Sequence, residues 1–336
     1  MNYLVLTPDG VGSTYLQRAL TLFLNSSNNE YFNTHELLNG LALDKNNNLY
    51  KSPQGYDQSL EEIVELLKSN RANIVSRLAE YHVEKRSRGI IGGPGKPPSP
   101  EIIERNSKED YTFLYDACNN KFFDKFLYCT RNPFEYALSW SIRKFTGKLN
   151  VYSIVERLSV HRDSTTYDID VDFMTNKLNQ YQRYIYWVRD NFPDAQEVNY
   201  EDIHSNIDKV LAKITGSKFS MKDKWKITLQ EHSVMLYKFS KMYNDFFKNY
   251  QIETFFDYSD RLIDYQKKLV AERKLVQGVP IKMTTLEEKK NRITNFSQCV
   301  DTYNEWAGKT NEFTSVSQNI IDEKISKEQK IYLLGE

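Results

Sequence analysis

A short apolar run, Tyr3-Leu4-Val5-Leu6, closes in Thr7-Pro8-Asp9-Gly10 and is followed from Ser13 by Leu16, Ala19, Leu20 and Phe23 at helical spacing. An unbroken apolar run offers no polar face to water, so it suits a strand buried on both sides. Strand, glycine turn and helix therefore follow in that order. The order recurs: Phe126-Leu127-Tyr128-Cys129-Thr130 reads as a strand and Arg131-Asn132-Pro133 as a turn. Phe134, Leu138, Ile142 and Phe145 then fall on one helix face. Pro133 stands at or near the first helical position, where its missing N–H is harmless. Strands alternating with helices predict an α/β fold, a parallel sheet flanked on both faces by helices.

The rest of the chain fits this frame. Ile74 to His82 suits a strand, while Ile74, Leu78 and Tyr81 also suit a helix. A helix expected over Leu60 to Lys68 and a breaker after the segment favour the strand. The breaker is Gly89 to Pro100, with Gly92-Gly93-Pro94-Gly95 and Pro97-Pro98, and it predicts an irregular loop. That loop, with Lys96 inside it, is either a lid or a plain surface connection. Leu178, Tyr181, Ile185, Val188 and Phe192 give the clearest amphipathic helix. A strand over Gln196 to Tyr200 and a helix carrying Ile207, Val210, Leu211 and Ile214 end the alternation at Gly216. Beyond it the pattern is almost wholly helical, with Ile293, Phe296, Val300, Tyr303 and Ala307 at three–four spacing. The expected division is residues 1–218 as the α/β domain and 219–336 as a helical C-terminal region.

Charge and cysteine usage exclude whole classes. Forty-five basic residues balance 45 acidic ones, which argues against a basic nucleic-acid coat; no nucleic-acid partner is expected. No stretch of 18 apolar residues is present, so no membrane span is expected. The start, Met1-Asn2-Tyr3, enters the strand pattern without the basic and long apolar stretches of a secretory signal. Cys118, Cys129 and Cys299 are odd in number and lack a CxxC pair, so a reducing, cytoplasmic setting is expected. Neither an HExxH motif nor clustered carboxylates are present, and no metal is expected.

Two turns carry the anion-binding signals. In Gly10-Val11-Gly12-Ser13-Thr14 the glycines allow close backbone approach, the helix start supplies N–H groups and a positive dipole end, and two hydroxyls add donors. It is not a Walker A loop, because Gly12 stands where the lysine belongs. The second turn supplies Arg131, with Ser139 eight residues on, a fork and a hydroxyl able to clamp a second phosphate. The plainer alternative pairs Arg131 with a carboxylate such as Glu135.

Together these pieces resemble the sulfotransferase family. The loop ending in Gly12-Ser13-Thr14 is similar to its 5′-phosphosulfate loop, and Arg131-Asn132-Pro133 with Ser139 to its 3′-phosphate motif. Val198-Asn199-Tyr200-Glu201-Asp202-Ile203 resembles its strand-ending Tyr-Glu-Asp. The three stand in family order within residues 3 to 216. The resemblance implies a P-loop-like core and the cosubstrate 3′-phosphoadenosine 5′-phosphosulfate (PAPS). Gly10, Val11, Gly12, Ser13 and Thr14 would hold its 5′ end, and Arg131 and Ser139 its 3′-phosphate. Tyr200 would lie near the adenine, or simply pack on the next helix.

One departure stands out. The family carries a Lys or Arg two residues before the loop glycine; here that position is Gly10. Arg77, Lys85 or Arg18 would then have to supply the charge, unless backbone donors carry it or catalysis has been lost. Arg143, Lys144 and Lys148 could extend the 3′-phosphate pocket.

Sulfonate transfer also needs a base for the acceptor's proton. His35 and Glu36 stand where some family branches keep a carboxylate, and His82 where others keep a histidine. The acceptor class is open among small molecule, glycan, lipid and peptide, as is the oligomeric state. The competing readings are a P-loop nucleotide or small-molecule kinase and a non-catalytic protein retaining the fold.

Overall fold

A computed structural model describes residues 1–8, 10–25, 31–33, 41–43, 49–51, 62, 65–66, 68, 73–79, 122–146, 166–217, 286–310 and 312–334. Its strands are β1 (Tyr3–Thr7), β2 (Tyr31–Asn33), β3 (Leu41–Leu43), β4 (Leu49–Lys51), β5 (Asn73–Ala79), β6 (Lys125–Thr130) and β7 (Gln196–Asn199). The helices are α1 (Ser13–Asn25), α2 (Pro133–Thr146), α3 (Val171–Asn191), α4 (Tyr200–Ser205), α5 (Ile207–Thr215), α6 (Leu286–Arg292), α7 (Phe296–Thr310) and α8 (Gln318–Leu334). The chain divides into two units, Met1–Arg131 with Tyr184–Gln251, and Asn132–Arg183 with Ile252–Glu336. The boundary expected near residue 218 falls at the edge of the described residues.

The first unit is built on a five-stranded sheet in the order β2-β5-β1-β6-β7. Every pairing in it is parallel. β1 is central, and all five of its residues are buried, as its apolar run requires. At its start Asn2 ties both neighbours: its Oδ1 accepts from the Ile74 N–H (3.0 Å) and its Nδ2 donates to the Phe122 carbonyl (2.8 Å). The ambiguous segment Ile74 to His82 is a strand from Asn73 to Ala79, and Ile74, Val75, Ser76, Arg77 and Leu78 are all buried in it. Parallel pairing on both sides favours an extended β-branched stretch over a helix. α1 is buried on almost every side, and α5 packs beside it. Sequence reading did not separate out β2 or the β3–β4 antiparallel pair, whose three-residue strands are too short for periodicity to register.

The second unit is helical among its described residues. Phe134, Leu138, Met174, Leu178, Phe296, Cys299, Tyr303 and Trp306 lie in one buried cluster. Phe134 meets Phe296 edge-on (5.9 Å) and Tyr303 at a tilt (5.2 Å). Two expectations need correction. Phe145, assigned to the apolar face of α2, is 51% exposed and contacts the Tyr167 ring at 5.2 Å. Ile293 does not continue the periodicity of α7; it sits in a bridge to Tyr167 that separates α6 from α7. Asn295 fixes that break: its Oδ1 accepts from the Ile169 N–H and its Nδ2 donates to the Ile169 carbonyl. Among the described residues, no helix is long and apolar enough to cross a membrane.

Candidate functional site

Strand β1 stops at Thr7 and α1 begins at Ser13. Between them Gly10 (φ +87°) and Gly12 (φ +74°) occupy the left-handed region that other residues enter at a cost. Val11, fully buried, pins the loop to the core. Leu16 N–H donates to the Gly12 carbonyl at 3.1 Å. The N–H groups of Ser13 and Thr14 belong to the first turn, which has no acceptor of its own for them. A helix start of this kind attracts negative charge.

Strand order selects which loops meet there. Out of β1 the chain runs toward β2, and out of β6 it runs toward β7, on the other side. β1 and β6 are neighbours, so their carboxyl ends mark the topological switch point of the sheet, where α/β proteins bind ligands.

Register then selects the side chains. Val5 pairs with Arg77 and Leu127, and Cys129 pairs with Val198. Because side chains alternate along a strand, Arg77 and Cys129 share the face of Val5 and Thr7. Arg77 is only 6% exposed, and its Nη1 donates to Thr14 Oγ1 (2.5 Å) and more weakly to Ser13 Oγ (3.4 Å). Arg131 follows β6 directly; its Nη1 donates to the Gly10 carbonyl at 3.0 Å. The same guanidinium lies 4.2 Å over the Tyr200 ring, a cation–π contact.

Tyr200 differs from expectation in its setting. It does not end the last strand but opens α4, because Asn199 caps that helix by accepting from the Glu201 N–H. Burial pushes the Cys129 thiol up to about 12, with the Arg77 charge pulling in the opposite direction. On the opposite face of the sheet, Tyr128 and Thr130 donate to the two oxygens of Glu197 at 2.9 and 2.8 Å. Burial, and then the Glu197 carboxylate, raise the Tyr128 hydroxyl. Sequence reading did not single out this cluster; its signal was two polar groups spaced by two in an apolar strand.

The other sequence candidates divide by place. His35, Glu36, His82, Lys85 and the loop holding Lys96 lie outside the described residues. Arg18 is fully buried one turn along α1 from Thr14. Ser139 belongs to α2 in the second unit and is half-buried. In that unit Lys144 pairs with Asp170 (2.8 Å) and Arg143 lies over Trp140 (5.2 Å). Glu135 does not stand idle: it pairs with Lys289 at 3.8 Å and with Lys324 at closer range.

The fold and this site define an α/β protein with a parallel sheet and a glycine loop flanked by guanidinium groups at the sheet's carboxyl edge. No protein-family model, curated protein or solved structure matches the chain.

Proposed function

We propose that the chain is a sulfotransferase using PAPS, with an oxygen or nitrogen nucleophile as acceptor. The observation that carries this reading is the meeting of three segments far apart in sequence. The loop Gly10–Thr14, Arg131 and Tyr200, which bear the resemblance, converge through the Arg131–Gly10 hydrogen bond and the Arg131–Tyr200 stack.

The residues present suit a nucleotide with two anionic ends. Gly12, Ser13 and Thr14, at the start of α1, would take the 5′ end, and the Arg131 fork the 3′-phosphate. The Tyr200 ring, already held by Arg131, would border the base. The part given to Ser139 rests on the resemblance alone.

In the transfer, the acceptor atom bonds to sulfur as the sulfur–oxygen bond to the 5′-phosphate breaks. The bonding pair stays on the phosphate oxygen and the acceptor's proton passes to a base, leaving 3′,5′-ADP. His35, Glu36 and His82 are the proposed bases. Such a transfer asks the protein for position and charge more than for covalent chemistry.

Thermal-shift titration tests the reading. 3′,5′-ADP is expected to stabilise the protein more than ATP–Mg does. A shift with ATP–Mg alone would replace this reading with a kinase, and no shift with either with a non-catalytic role. Arg131→Ala is expected to weaken 3′,5′-ADP about tenfold, the scale of one lost charged hydrogen bond, and 5′-AMP much less.

A further inference from the structure

The glycine loop lacks the cation that its resemblance calls for, since Gly10 fills that position. The sheet brings one in from elsewhere. Arg77 lies in β5, which pairs with β1 along the whole length of β1, so the guanidinium approaches the start of α1 from the adjacent strand. It is an arginine inside a buried run, Ile74-Val75-Ser76-Arg77-Leu78, in which Ser76 is the other polar residue. It also stands against the positive end of a helix, a second like-signed field. A permanent positive charge and a helix start that face one loop both suit a negatively charged ligand.

The hydrogen bonding points the same way. Thr14 Oγ1 and Ser13 Oγ accept from Arg77, so neither hydroxyl spends its own proton on that contact. Each keeps an O–H to donate elsewhere, polarised by the charged donor behind it. Arginine suits this task because its charge is permanent, and its Nη1 reaches both hydroxyl oxygens.

We infer that Arg77 supplies the charge missing from the loop and, with Ser13 and Thr14, forms the subsite for the 5′ anion, while Arg131 serves the 3′-phosphate. The inference rests on the nucleotide reading above and adds a division of labour between the two arginines. Arg77 acts as a fixed charge and hydrogen-bond donor and not as an acid, since it stays protonated.

Binding separates the two roles without any need for turnover. The probes are 3′,5′-ADP, 5′-AMP and 3′-AMP, titrated calorimetrically into the full chain and its variants. Arg77→Gln is expected to weaken 5′-AMP and 3′,5′-ADP tenfold or more and 3′-AMP less than twofold. Arg77→Lys is expected to recover most of that loss.

An equal loss for 5′-AMP and 3′-AMP, or no loss, would overturn the role of Arg77 while leaving the nucleotide reading intact. A wild-type protein that binds none of the three probes would overturn the nucleotide reading itself. If Arg77→Gln fails to fold, Thr14→Val removes the hydroxyl that Arg77 holds at a half-buried position. The same selective loss is expected from it, and an unselective one overturns the assignment.

Discussion

At the residue scale, single atoms decide the turns. Gly10 and Gly12 hold positive φ because the chain must reverse from β1 into α1 within a few residues. A Cβ at Gly12 would meet the left-handed penalty of about 1–2 kcal/mol. Gly12→Ala is therefore expected to lower stability by about that amount in urea unfolding and to weaken 3′,5′-ADP binding. An unchanged midpoint would show that the loop relaxes freely.

Asn132 illustrates the other kind of turn. Its Oδ1 accepts from the Glu135 N–H at 3.2 Å and its carbonyl from the Tyr136 N–H, so it caps α2 while Pro133 fills the first helical position. Asn132→Ala should cost about 1 kcal/mol by the same measurement. The glycine turn and Pro133 at the start of α2 were legible in the sequence, because glycine and proline act through their own backbones; the cap, made by the Asn132 side chain, was not singled out. Arg77 was legible only as one of three possible cations; the choice depended on a pairing with β1 that no local pattern encodes.

At the element scale, the described helices of the second unit are held by apolar packing and by a buried charge cluster. Glu135, Lys289 and Lys324 join α2, α6 and α8, and the Lys289 side chain is 1% exposed. Removing one member leaves a buried charge uncompensated, which typically costs about 3–5 kcal/mol. Glu135→Leu is expected to destabilise by about 3 kcal/mol, and Lys324→Met, at the more exposed end, by less. The comparison of their urea midpoints checks this, and the reverse order would show that Lys324 carries the cluster.

Elements with strong periodicity, α1, α2, α3 and α5, were readable in advance. Phe145 and Ile293 were misassigned because a helical repeat shows which residues could share a face, not where packing stops using it. The break at Ile293 is set by backbone bonds to Tyr167, 126 residues away in sequence (293 − 167 = 126).

At the scale of the whole molecule, buried ionisable groups set an alkaline limit on stability. Burial pushes Cys129 and Cys299 from 9.0 to about 12, and Tyr3 and Tyr303 from 10.0 to about 12. In each case the unfolded chain gives up the proton first, so the stabilisation is complete below about pH 9 and is lost as pH rises toward 12. Urea midpoints should fall steadily above pH 9, less steeply in Tyr303→Phe; a flat profile would contradict the burial. At pH 8 a thiol reagent should leave Cys129 and Cys299 untouched until denaturant is added.

The sequence by itself determined the alternation of strand and helix, the parallel sheet, the glycine turn and the proline turn that launches α2, because these follow from local sterics and short-range periodicity. Only the tertiary structure decided that β5 and β6 flank β1 and that Arg77 and Arg131 reach one loop. Strand order and register are settled by which faces bury together, a competition among segments that no single segment contains.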